Sequence, residues 1–112
     1  MTISNINNFL DESNLETPCL VVDLSIVKSF YEKLNDNFPE SYVYYAVKAN
    51  PALEIINCLK NNGSYFDVSS KKEIELCLSQ SIDPSILSYG NTIKKDADIL
   101  WAYNKGLRLF AF

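Results

Sequence analysis

Tyr44-Tyr45-Ala46-Val47-Lys48-Ala49-Asn50-Pro51 is the stretch on which the reading of this chain turns. An apolar, strand-like run ends on a lysine, and helix-start residues follow at once. In a parallel α/β fold that position is the carboxyl mouth of a strand, where such folds keep their chemistry. Working outward, strand-like runs recur at 42–47, 64–68, 86–89 and 107–112, with starts 22, 22 and 21 residues apart. Helical patterns lie between them. Alternation at this period predicts successive βα units in a parallel sheet, with crossovers as short as those of a barrel.

The punctuation between the runs supports this frame. Asn50 with Pro51 reads as a cap and first helical residue. Leu53, Ile55, Ile56 and Leu59 form the buried face, and Gly63 ends the helix in a left-handed conformation. Ser70-Lys71-Lys72-Glu73 is a capping box opening the second helix, whose apolar side is Ile74, Leu76, Cys77 and Leu78. Asp83-Pro84 makes the next turn. A third helix lies within 95–104 and closes at Lys105-Gly106, with Trp101 packing against the sheet or a partner. Upstream, residues 1–16 read as a flexible polar segment, with one helical turn at most around Ile6 to Leu10. Thr17 to Leu24 reads as a strand. Ser25 then caps a helix from Ile26 to about Asn37, with Ile26, Val27, Phe30, Tyr31 and Leu34 on one face.

Bulk composition narrows the classes. The chain has 112 residues, 47% of them hydrophobic, and a formal net charge of -4. That fits one small folded domain and argues against a nucleic acid or an anionic membrane as partner. No apolar run approaches a membrane span. The Met1-Thr2-Ile3-Ser4-Asn5 start has no basic region or long apolar core, so an export signal is not expected. Cys19, Cys58 and Cys77 are far apart, odd in number and all in apolar surroundings, and read as reduced core residues of a cytoplasmic protein. With no histidine in the chain, no metal site is expected.

The strand ends carry the chemistry. A lysine held rigidly at a strand end and partly desolvated can form a Schiff base with an aldehyde, of which pyridoxal phosphate is the commonest bound to proteins. Equally, a lysine at a sheet rim can be a solvated charge. Asp67 ends the next strand and either orients the lysine or satisfies helix-start N–H groups. Glu73 is a second supporting acid or only the far end of the capping box. On the third strand end, Asn91 and Thr92 are polar site groups or helix caps, and Lys94 and Lys95 read as solvated charge.

With these residues in hand, the chain resembles the pyridoxal-phosphate enzymes built on the alanine racemase-like barrel, and within them the ornithine, lysine, diaminopimelate and arginine decarboxylases. The resemblance runs over residues 14–112. It rests on Tyr45-Ala46-Val47-Lys48-Ala49-Asn50, on Thr17-Pro18-Cys19-Leu20-Val21-Val22-Asp23 as the strand before the barrel, and on Phe66-Asp67-Val68-Ser69-Ser70 with Glu73. It also rests on Ile86 through Lys94, with its Tyr89-Gly90-Asn91-Thr92 segment, and on Gly106 through Phe112. The five motifs occur in order at matching spacing.

What the resemblance implies is specific. The fold would be a partial (β/α)8 barrel: its first four strands, with a preceding strand and helix, over residues 17–112. Lys48 would bond the cofactor, pyridoxal 5′-phosphate, and later help protonate the product. Asp67 would orient Lys48 and share in cofactor binding. Glu73 would support the site from the helix start, Ala46 would contact the cofactor, and Ala49 and Asn50 would shape the loop beside the lysine. The reaction would be decarboxylation of ornithine to putrescine or lysine to cadaverine. The form of the third motif favours these over diaminopimelate.

The rest of such a site would lie past residue 112: a glycine-rich phosphate loop, a ring-stacking histidine, a glutamate facing the pyridine nitrogen, and a C-terminal β domain serving a homodimer. On this reading the 112 residues are a truncated barrel, inactive alone, or one part of a split enzyme completed by a second polypeptide. The alternatives are a diaminopimelate decarboxylase fragment and a non-catalytic chain that binds pyridoxal phosphate or regulates a decarboxylase.

Overall fold

A computed structural model describes residues 4–112. Met1 to Ile3, the start of the segment read as a flexible tail without an export signal, lie outside the described residues. The chain runs α1 (Ser4–Glu12), α2 (Leu24–Asn37), β1 (Tyr44–Ala46), a 3-10 turn (Val47–Ala49), α3 (Leu53–Asn61) and β2 (Tyr65–Val68). It continues with α4 (Lys71–Ser79), a second 3-10 turn (Pro84–Ile86), β3 (Leu87–Tyr89), α5 (Asp96–Asn104) and β4 (Leu109–Phe110). The four strands form one parallel sheet in the order β1-β2-β3-β4. Neighbours in sequence are neighbours in space, joined by helical crossovers. This is the arc of a partial barrel of the expected type.

The sheet has one covered face and one open face. Tyr45, Phe66 and Leu87 are aligned across the strands. With Val68 and Tyr89 they meet the helices, and Phe66, Val68, Leu87 and Tyr89 are buried with Ile55, Ile56, Leu59, Ile74, Cys77, Ala102 and Leu107. The alternate row, Ala46-Asp67-Ser88-Leu109, points the other way, as the two-residue period of a strand requires. Tyr42, Tyr44 and Tyr65 cluster lower on that open face, with ring centroids 4.6 and 5.1 Å apart. The radius of gyration is 16.4 Å, against about 13 Å for a compact chain of this length. Helix α1, which has no buried residue, and the largely exposed segment after it lie off the core.

The three crossover helices end alike. Gly63 N–H donates to Lys60 O and Ser64 N–H to Leu59 O. Gly106 N–H and Leu107 N–H repeat the pattern on Tyr103 O and Ala102 O, and Ser81 N–H and Ile82 N–H on Leu78 O and Cys77 O. This motif needs a left-handed residue, supplied by Gly63 (φ 87°) and Gly106 (φ 105°) and taken by Ser81 at φ 56°. The residue that follows each is buried: Ser64, Ile82 and Leu107. Each helix is thereby stopped and its exit pinned to the core before the next strand.

Four expectations are corrected. Thr17 to Leu24 is not a strand: it pairs with no strand among the described residues, and Leu20 is 80% exposed. β-branched residues favour a strand only where a ladder partner exists. The N-terminal segment holds a nine-residue helix, α1, rather than a single turn. Helix α2 begins at Leu24 and is capped by Asp23, whose carboxylate accepts the Ser25 N–H at 2.8 Å and its hydroxyl at 2.6 Å. Those bonds hold the Asp23 carboxyl below the usual carboxylate range. Helix α3 starts at Leu53, not at Pro51, because Asn50 Oδ1 accepts the Ala52 N–H and closes a turn of its own.

The three cysteines are unpaired, but only Cys77 is a core residue: Cys58 is partly covered, and Cys19 is exposed because its segment pairs with no strand among the described residues. Burial pushes the Cys77 thiol up to about 12. No helix among the described residues is long and apolar enough to cross a membrane.

Candidate active site

The open-face row leads directly to a cavity. Two residues beyond Ala46, Asp67 and Ser88 come Lys48, Ser69 and Gly90, at the carboxyl ends of three adjacent strands. Lys48, Asp67, Ser69, Gly90, Asn91 and Thr92 line a cavity of about 340 Å³. Strand pairing sets this convergence: Ala46 lies beside Asp67, and Asp67 beside Ser88.

Lys48 sits not on the strand but in the 3-10 turn that continues it. Its neighbour Val47 is fully buried and anchors the turn, while Lys48 itself is exposed. Tyr45 Oη donates to the Asn50 carbonyl at 2.9 Å, spanning the turn. Among the described residues the Lys48 amine has no ion pair or hydrogen bond. An uncommitted ammonium beside a carboxylate in one cavity is available to a ligand.

Asp67 is half-buried and packs against the backbone of Gly90. A Cβ built on Gly90 would lie 2.7 Å from Asp67 Oδ2 and closer still to Oδ1. Only glycine leaves the carboxylate its place. Gly90 is itself held by its N–H bonding Val68 O at 2.9 Å.

Glu73 lies outside the cavity lining. Ser70 caps α4 by accepting the Glu73 N–H at 3.3 Å, and Glu73 Oε2 accepts the N–H of Ser69 at 2.6 Å. The box closes one residue earlier than the usual pattern. Glu73 thus fixes the backbone of a cavity-lining residue. Ala46 is also outside the lining and sits beside Asp67 in the sheet.

Asn91 and Thr92 are not helix caps, since α5 starts at Asp96 with Lys95 before it. Lys94 is not plain solvated charge. Its ammonium donates to the Ala111 carbonyl and lies 5.1 Å from the centre of the Tyr89 ring, tying the loop after β3 to the end of β4. Trp101 packs on the core and carries the Lys71 and Lys105 ammoniums at 4.8 and 5.8 Å. Sequence reasoning overlooked Ser69 and Gly90 as lining groups, although stepping by two from Asp67 and Ser88 reaches both.

Residues 24–112 match the family described as pyridoxal-dependent decarboxylase, pyridoxal binding domain. The chain belongs to this family. It is 36% identical over 98 residues to the lysine/ornithine decarboxylase of Selenomonas ruminantium, covering 88% of this chain and 25% of that one. It is 34% identical over 95 residues to a chloroplastic ornithine decarboxylase of Nicotiana glutinosa, covering 85% and 22%. In structure it is similar to the lysine decarboxylase of Selenomonas ruminantium at a TM-score of 0.85 and 31% identity, over 100% of this chain and 29% of that one. The chain therefore spans about a quarter of the length of the curated relatives it matches.

The cofactor of this pyridoxal-binding domain is pyridoxal 5′-phosphate. The residues present fit its reactive end. One primary amine has no hydrogen bond or ion pair among the described residues, and a carboxylate, seated where Gly90 lacks a side chain, shares its cavity.

In Gly90→Ala the new methyl displaces the Asp67 carboxylate, which swings on one short side chain, so the chain is expected to lose about 1–3 kcal/mol of stability. The moved carboxylate is expected to weaken pyridoxal phosphate uptake about tenfold, an energy of roughly 1.4 kcal/mol. A spectrophotometric titration checks this, and affinity equal to wild type would contradict the role given to the Gly90–Asp67 contact.

Proposed function

We propose that this chain is the lysine-bearing part of an amino-acid decarboxylase that acts on ornithine, lysine or both. The products are putrescine or cadaverine and CO₂. The observation that carries this is the convergence of Lys48, Asp67 and Asn91 from three successive strand ends on one polar cavity. The names of the relatives, a lysine/ornithine and an ornithine decarboxylase, agree with it.

Bound pyridoxal phosphate supplies an aldehyde carbon for a primary amine and a ring that takes up the electron pair left by departing CO₂. The chain's own groups do the rest. Lys48 Nζ would hold the cofactor, and the same amine would be the chain's group for delivering a proton at the cavity. Asp67, which lines the same cavity, is placed to orient the amine. Ser69, Asn91 and Thr92 offer hydroxyl and amide groups to polar atoms at the cavity rim, with Ser69 held in place by Glu73 and Ala46 flooring the row beside Asp67.

Lys48 is exposed and the cavity is open to solvent, so these 112 residues alone do not exclude water from a reacting carbon. They are expected to be inactive by themselves. The assay is release of labelled CO₂ from carboxyl-labelled ornithine and lysine. It is run on the chain and on a chimaera in which the chain replaces the matching quarter of the Selenomonas ruminantium enzyme. Release by the chimaera, lost in its Lys48→Ala form, is expected. A folded, cofactor-loaded chimaera that releases nothing from either amino acid would sink the reading.

A further inference from the structure

We propose that Tyr45 is the positioning residue for Lys48. This rests on the reading of Lys48 as the cofactor amine. Tyr45 is the middle residue of β1, on the covered face, so its ring and Lys48 lie on opposite sides of the sheet edge. It does not line the cavity. Its ring is fixed edge-on to Phe66, with centroids 6.4 Å apart and planes at 87°. Its hydroxyl reaches past the turn to the Asn50 carbonyl at 2.9 Å. Asn50 in turn holds Ala52 N–H through Oδ1 at 3.1 Å.

The three turn residues, Val47, Lys48 and Ala49, are therefore closed at both ends. On one side stands a tyrosine locked in the core, and on the other the entry to α3. The turn has no side-chain cap of its own at Ala46. A turn of three residues with an exposed lysine at its centre has little else to fix it beyond the buried Val47. The Tyr45 bond converts the rigidity of the core into a fixed direction for the Lys48 backbone. The remaining freedom of the amine is then that of its own side chain.

Tyr45→Phe tests this, because it removes the hydroxyl and leaves the ring in place. The first readout needs no cofactor. Amide hydrogen exchange at residues 48–50 of the full chain is expected to quicken about fivefold to tenfold, in line with loss of one hydrogen bond, while β2 amides keep their wild-type rates. The second readout is the rate at which borohydride traps pyridoxal phosphate on Lys48, expected to fall about fivefold, with the thermal midpoint nearly unchanged. Unaltered exchange at 48–50 would overturn the proposal, as would exchange that quickens equally in β2. So would a loosened turn whose trapping rate stays at wild type. If wild-type Lys48 traps no cofactor, the reading of Lys48 as the cofactor amine fails separately, and the exchange rates alone then decide whether Tyr45 holds the turn.

Discussion

Lys48→Ala is expected to remove the pyridoxal phosphate absorption band from the chain and to cut site-directed trapping by about 100-fold or more, since no other amine can replace a covalent bond at that place. The expectation is large because of where the amine stands. Lys94 is committed to the Ala111 carbonyl, and Lys71 lies against the Trp101 ring. Lys48 is the lysine lining the cavity that also holds Asp67 and Asn91. The same substitution should barely change stability, by about 0.5 kcal/mol or less, as expected for an exposed side chain away from caps and core. That pairing of a large chemical loss with a small stability change separates a site residue from a structural one. Absorbance and thermal denaturation on the same samples measure both. A Lys48→Ala chain that keeps the band would mean that another lysine takes the cofactor.

Phe66→Ala is expected to have the opposite signature and the largest effect on folding. Phe66 is fully buried in β2, flanked by Tyr45 and Leu87 on the neighbouring strands. Emptying such a position costs about 3–5 kcal/mol. A chain of this size has roughly 5–15 kcal/mol in total, and one open sheet face puts this one near the lower end. The variant should be largely unfolded or molten at 25 °C, read by loss of near-ultraviolet dichroism and of a cooperative urea transition. A midpoint shift worth less than about 1 kcal/mol would contradict the assignment of Phe66 to the centre of the core. Cofactor loss in this variant would follow unfolding, whereas in Lys48→Ala the fold persists.

The regular spacing of apolar runs made the sheet legible, because each βα unit carries its own stop signals. Gly63 and Gly106 mark helix ends whose bonding depends on neighbours within a few residues. Ser70 with Glu73 is local in the same way. The segment 17–24 was misread for the reason that a strand is not local. Leu20, Val21 and Val22 have the residue types of a strand but no ladder beside them among the described residues. Asn50 and Pro51 misled differently. Asn50 uses its side chain on Ala52 N–H, which delays the helix by two residues, and Lys48 lies in the 3-10 turn before it rather than on the strand. Asp23, not Ser25, caps α2 because its carboxylate takes both donors of Ser25.

At the site, Lys48 and Asp67 were legible because they lie just past and just before the ends of adjacent strands, and strand ends fall at one rim. Ser69 and Gly90 follow from the same two-residue period. The role of Tyr45 was not legible. Its sequence context is that of a core residue, and its partner is a backbone carbonyl whose direction no residue type announces. The tie between Lys94 and Ala111 was hidden similarly, since it joins a loop to a strand end 17 residues away. Glu73 shows the intermediate case: the capping box was visible, but its reach back to Ser69 rather than Ser70 depends on the geometry of the loop.

The most direct measurement loads the wild-type chain with pyridoxal phosphate, reduces it with borohydride, and maps the modified lysine by peptide mass. The account predicts that the label concentrates on the peptide carrying Lys48. Label spread evenly over exposed lysines such as Lys28, Lys33, Lys72 and Lys95, with Lys48 no more reactive than they are, would contradict it.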